Sequence, residues 1–153
     1  MRRRAFGDET WSLALAGDAP ALRRVAELLQ GAAGEESYDA HRARAFALAV
    51  EGRSAAGLGE LNEAWTEDWP FPSAYAADIA RVRFLAGDYA EALDALHLSL
   101  RGADRVDADV ARLAKECVRR DKRLLRRALV VATAGGTPWQ RLATAGGVLA
   151  ARF

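Results

Sequence analysis

Few residues in this 153-residue chain are of types that do covalent or proton chemistry: the histidines are His41 and His97, and the cysteine is Cys117. A metal or acid–base centre needs such a histidine supported by convergent carboxylates. Asp94 and His97 share a helix face at i, i+3, but a di-iron bundle needs paired Glu-x-x-His sequences with further glutamates, and none occurs. Cys117 stands beside Lys115, Arg119 and Arg120, a setting that lowers a thiol pKa. It also falls on the apolar stripe Leu113, Ala114, Cys117 and Val118, which reads as buried packing. There is no phosphate-binding glycine loop and no G-x-S-x-G, and Gly135-Gly136 reads as a helix stop. These residues imply no catalytic site, no metal and no cofactor.

The elements that carry them follow from composition and pattern. With 51% hydrophobic and 28% charged residues, the chain has the balance of one folded globular domain over residues 1–153. A lone cysteine and a start, MRRRAFGDETW, without an apolar segment behind its arginines point to a reducing compartment, the cytoplasm. No run of 18 apolar residues exists, so a spanning helix is not expected. Arginine outnumbers lysine twenty to two, the bias of a GC-rich bacterial genome. The net charge of +1 is unevenly spread: +1 over residues 1–34, −7 over 35–100 and +7 over 101–153. Such asymmetry bears on association rather than on fold.

Gly17, Gly52 and Gly87 lie 35 residues apart each time, within LALAGDAPAL, ALAVEGRSAAGL and RFLAGDYAEAL. Each has an alanine-rich apolar segment on either side. A glycine there supplies the positive φ of a tight helix end, and Asp18 or Asp88 can cap the helix that follows. Apolar residues recur at helical intervals around each turn, and nothing alternates with period two for long enough to suggest a strand. Gly31 to Gly34, Pro70 and Pro72, and residues 101–104 act as breakers. The expectation is an all-α chain of helix pairs at about 8–30, 38–66, 73–100 and 107–134. The fourth pair has RRDKR in place of the turn glycine. Thr137, Pro138 and Gln140 have capping-box spacing, and Trp139, Leu142, Gly146, Leu149 and Phe153 form a stripe. A helix at about 137–152 is expected to use that stripe to close the end of the stack.

LAGDYAEALDALHLSL resembles the second half of a tetratricopeptide repeat, with its turn at Gly87-Asp88-Tyr89, small Ala92 at the helix crossing and Leu96 in the core. Ala80 resembles the small residue of that family's first helix, and the middle unit keeps Ala45, Gly57, Ala64 and Pro70. The first unit aligns with one residue deleted after Gly17, placing Ala21 at the crossing, and the fourth keeps Ala114. Pentatricopeptide repeats share the 35-residue period; the small-residue pattern favours the tetratricopeptide family. The resemblance, over residues 8–134, implies a right-handed α-solenoid of antiparallel helix pairs with a C-terminal capping helix.

The same resemblance implies a concave groove lined by first helices, a site for another protein. Matching positions carry Arg42 and Phe46, then Arg81 and Phe84 beside Asp78, then Arg112, Lys115 and Arg119. Guanidinium groups bind carboxylates bidentately, so the expected partner offers an acidic segment. The implied role is a non-enzymatic adaptor. The cluster from Arg112 to Arg127 also admits phosphate contacts, making a nucleic-acid-binding repeat one alternative, although it lacks rings for base stacking. Self-assembly, acidic middle to basic end, is the other. WTEDWPFPSAY, from Trp65 to Tyr75, reads as a filled junction between helix pairs or an anchor patch of Trp65, Trp69 and Phe71 flanked by Glu67 and Asp68.

Overall fold

The computed structural model describes residues 3–33, 37–65, 72–101, 103–104 and 108–153, with side chains for 9–30, 37–65, 74–101, 103–104 and 108–153. Trp69 and Phe71 with Glu67 and Asp68, the breakers Gly34, Pro70 and Gly102, and Asp107 at the start of the expected fourth pair lie outside the described residues. Among the described residues every regular element is helical and no strand forms. None of these helices is long and apolar enough to cross a membrane.

The chain divides into two compact units, residues 1–70 and 71–153. The first holds α1 (Arg3–Leu15), α2 (Ala19–Ala33), α3 (Tyr38–Val50) and α4 (Ser54–Ala64). Here α3 packs against both α2 and α4, and α1 rests on α2 and α3. The second holds α5 (Pro72–Leu85), α6 (Tyr89–Leu100), α7 (Ala108–Arg120), a 3-10 turn (Lys122–Leu124), α8 (Leu125–Ala132) and α9 (Pro138–Ala150). In it α6 packs on α5, α7 and α8, and α9 lies on α7 and α8.

The three equally spaced glycines make the same turn. Gly17, Gly52 and Gly87 have φ of 72°, 80° and 84°. In each, the residue after glycine donates its backbone N–H five residues back: Asp18 to Leu13 at 3.0 Å, Arg53 to Leu48 at 2.8 Å and Asp88 to Arg83 at 2.9 Å. The glycine N–H itself bonds three residues back, to Ala14, Ala49 and Phe84. This is the Schellman closure, which satisfies end carbonyls and requires a left-handed residue. Capping of the next helix differs between turns. Asp18 accepts from the Ala21 N–H at 3.0 Å, but Asp88, expected to do the same, makes no side-chain cap. Its carboxylate instead faces Arg83 at 3.5 Å. In the fourth turn, where glycine is absent, Asp121 adopts extended backbone and accepts from the Arg123 N–H, starting the 3-10 turn.

Helices approach closely because the facing residues are small. His41 meets Glu60, and Ala45 meets Gly57, so α3 and α4 run antiparallel. A Cβ on Gly57 would stand 2.7 Å from the Ala45 carbonyl oxygen. Ala80 and Ala92 are fully buried in the second unit. Gly135 does more than stop a helix, since a Cβ there would overlap the Leu100 carbonyl oxygen.

Thr137 and Gln140 form the capping box ahead of α9, with Pro138 in its first turn. The face by which α9 docks differs from expectation. Val148 and Ala151 are buried, whereas Trp139, Leu142, Leu149 and Phe153 are exposed. The physical reason is size: Gly147 and its small neighbours permit close approach, and the Lys115 stem reaches the Gly147 position.

Because Gly52 and Gly87 face open space, their replacement by alanine tests backbone strain alone. Each is expected to cost about 1–2 kcal/mol. Gly59→Ala, at a helical position with nothing nearby, should stabilise by up to ~1 kcal/mol. Gly57→Ala should cost roughly 1–3 kcal/mol by forcing α3 and α4 apart. Urea unfolding of the four variants measures this ordering.

Candidate functional site

The residues expected to line one partner-binding face have different environments. On α3, Phe46 is fully buried, its ring edge-on to Trp11 with centroids 5.6 Å apart. Arg42 is buried too, its guanidinium carbon 4.9 Å above the Phe46 ring. The cation thus sits on the ring's negative face. On α5, Phe84 is buried and tilted against Tyr89 at 5.4 Å. Arg81 bonds the buried Asp78 carboxylate at 2.8 Å, one turn earlier on the same helix. These two pairs face inward because their helix faces are covered.

The residues on α7 differ. Arg112 and Arg119 are exposed, and Lys115 is half-buried along its stem. One turn away, Asp109 and Glu116 pair with Arg112 and Arg119. Exposed pairs of this kind contribute about 0–1 kcal/mol and exchange readily for another carboxylate. The opposite face of α7, Val110, Leu113, Ala114, Cys117 and Val118, is buried. Thus the helix separates cations from core, and the 3-10 turn and α8 add Lys122, Arg123, Arg126 and Arg127, all exposed. Arg123 pairs with Asp121, whose carboxyl is held below its ordinary range by that arginine's hydrogen bonds. Arg127 reaches Asp94 on α6 at 2.9 Å. Asp94 is therefore directed to an arginine, while His97 Nδ1 is buried with no hydrogen-bond partner among the described residues.

Cys117 has no thiolate character at neutral pH. It is fully buried, and desolvation, reinforced by the Glu116 charge, pushes its thiol up to about 12. The neighbouring arginines point outward and do not offset this.

A polar cluster not singled out from the sequence joins α3 to α4. His41 Nδ1 lies 2.8 Å from Glu60 Oε2, the same oxygen accepts from Arg44 Nε at 3.1 Å, and Arg44 also bonds Gln30. Burial alone would raise the Glu60 carboxyl, but hydrogen bonds from His41 and Arg44, with the Arg44 charge, outweigh it and hold the group below the usual range. Glu63 brings a third donor, so ligand atoms of His41, Glu60 and Glu63 lie within 4.8 Å of one another. The donor types suit a divalent cation. Arg44, however, already supplies positive charge there, with its guanidinium 3.1 Å from His41 Nδ1. The arrangement ties two helices together by the Arg44–Glu60 ion pair and the His41–Glu60 hydrogen bond. Its sequence signal is faint: two positions nineteen apart that meet only when the Gly52 turn sets the register.

Loss of Glu60 should be visible in the pH dependence of stability. With a folded pKa below the unfolded value of ~4.3, its contribution is complete above that pH and is lost as pH falls through the folded value. Glu60→Gln should therefore cost ~1 kcal/mol at pH 7 and converge with the parent as pH falls through the folded value in urea unfolding. Arg81→Ala, which removes the 2.8 Å bond to the buried Asp78 carboxylate, should cost roughly 1–3 kcal/mol at neutral pH in the same measurement.

Compared with known proteins, the chain matches no family model, no curated protein and no solved structure.

Proposed function

We propose that this chain is a non-enzymatic adaptor of the tetratricopeptide type, a right-handed stack of helix pairs that recognises an acidic segment of another cytoplasmic protein. The stacked reading is supported by three identical Schellman turns at a 35-residue period and by small residues at the helix crossings.

One observation carries the choice of partner. From residue 108 to 132 there are eight basic and three acidic residues, net +5, and all of these cations but the half-buried Lys115 are exposed on α7, the 3-10 turn or α8. Among the described residues, Lys122 and Arg126 make no ion pair. Carboxylates of a partner can pair with these two and exchange with Asp109 and Glu116 at Arg112 and Arg119. No aromatic residue occurs between 108 and 132, so the base stacking that a single-stranded nucleic acid uses is missing. Docking residues are thereby narrowed to Arg112, Lys115 and Arg119 with their α8 neighbours, because Arg42, Phe46, Arg81 and Phe84 serve the interior.

The test is capture of native partners by the parent protein and by Arg112→Glu/Arg119→Glu. Both residues are exposed, so helicity and melting temperature should hold while capture is lost. Binding of the parent should weaken as salt rises and the Debye length shrinks to about 3 Å near 1 M. Equal capture by the variant would overturn the assignment. Tight binding of a mixed-sequence oligonucleotide without any captured protein would replace it with the nucleic-acid reading.

A further inference from the structure

The α9 face left outside by docking is symmetric about one residue. Counting outward from Gly146, Ala143 and Leu149 stand three residues away, Leu142 and Ala150 four, and Trp139 and Phe153 seven. These intervals return to one helical face. All seven residues are exposed, with Trp139 at 79%, Leu142 at 65%, Leu149 at 48% and Phe153 at 99%. Helix α9 ends at Ala150, but the turn beyond it keeps Phe153 in place through its N–H bond to the Ala150 carbonyl.

Gly146 has no internal reason to be glycine. Its φ is not positive, and a Cβ there would meet nothing within 4 Å. Glycine inside a helix costs stability, and its compensating use is close approach of another backbone.

We propose that the occupant of this face is a second copy of the chain, whose α9 crosses antiparallel at Gly146. Under the two-fold axis Trp139 faces Phe153 of the second copy, Leu142 faces Ala150, Ala143 faces Leu149, and the two Gly146 backbones meet at the crossing. Large residues oppose small ones throughout the centre, as an isologous interface requires. A parallel pairing sets Leu142 on Leu142 and Ala143 on Ala143, which interlocks poorly. The arginines also suit the antiparallel arrangement: Arg152 faces Gln140 and Arg141 faces Ala151, so no like charges are opposed. Beside Trp139, residues Thr133, Pro138, Arg141, Leu142 and Ala145 line a shallow cleft of about 360 Å³, room for the Phe153 ring of the second copy.

Area agrees with that occupant. With rings of about 150–250 Å² each, the exposed fractions of Trp139 and Phe153 amount to roughly 300–450 Å² of apolar surface per chain, to which Leu142 and Leu149 add before the alanines are counted. A standard interface buries ~800 Å² per partner, and the alanines, Gly146 and the cleft rim supply the difference. Helix α9 carries no acidic residue, so the contact is apolar rather than ionic. It is distinct from the basic surface of α7 and α8, and the two differ in their response to salt.

The experiment is sedimentation equilibrium of the full chain between about 1 and 100 µM, in low and high salt. The expected mass approaches twice 16.5 kDa at the upper end and is not reduced by salt. Gly146→Glu opposes two carboxylates at the axis while touching nothing within its own chain, so it should remain folded and weaken the dimer at least tenfold. Register is read by oxidative cross-linking. Trp139→Cys mixed with Phe153→Cys should form a disulfide-linked heterodimer, and Trp139→Cys alone should not. Cys117, fully buried, stays out of the reaction. A monomer at every concentration, a dimer unaffected by Gly146→Glu, a dimer dissolved by salt, or cross-linking of Trp139→Cys with itself would each overturn the proposal. None of these outcomes bears on capture through Arg112 and Arg119.

Discussion

Backbone proximity is the constraint on which this molecule depends. Its interior is built largely from alanine, with Ala40, Ala43, Ala45, Ala47 and Ala49 buried on α3 alone. Such side chains bring little apolar area each, so useful burial requires helices to lie almost in backbone contact. Two devices achieve this. Left-handed glycines reverse the chain within three residues, and residues without bulk occupy the crossings. Once both are in place, the positions of larger groups are dictated by what the close helices leave between them.

That dependence explains the polar interior. Long polar side chains can bury their stems beside small residues while their heads find partners. Arg42 lies across Phe46, Arg81 folds back onto Asp78, and His41, Arg44 and Glu60 bridge α3 and α4. Each cation is held by a ring or a carboxylate, which offsets the desolvation of a charge near the core.

Much of the fold is legible in the amino-acid sequence, for reasons that are local. A Schellman turn needs a residue at positive φ, so Gly17, Gly52 and Gly87 announce it by type and spacing. Thr137, Pro138 and Gln140 announce a helix start because the capping bonds are made within four residues. What escapes is tertiary. Helical spacing groups Arg42 with Phe46 and Arg81 with Phe84, but whether that face is covered depends on neighbouring helices. For α9 the most apolar stripe was the natural candidate for docking, yet close packing selected Val148 and Ala151 on the slimmer side. Asp88 and Asp18 occupy equivalent positions, and the presence of Arg83 diverts the former from its cap.

The link between α8 and α9 is secured to the end of α6. Gly136 donates its N–H to the Ala103 carbonyl at 2.7 Å, and the bare Cα of Gly135 lies against the Leu100 carbonyl. The final carbonyls of a helix are the ones most prone to fray. Here the loop that launches α9 lies over the last carbonyl of α6, that of Leu100, although more than thirty residues separate them in the chain. Fraying at that point therefore releases the anchor of α9, making the two a single opening unit in hydrogen exchange rather than a stable helix and a loose tail.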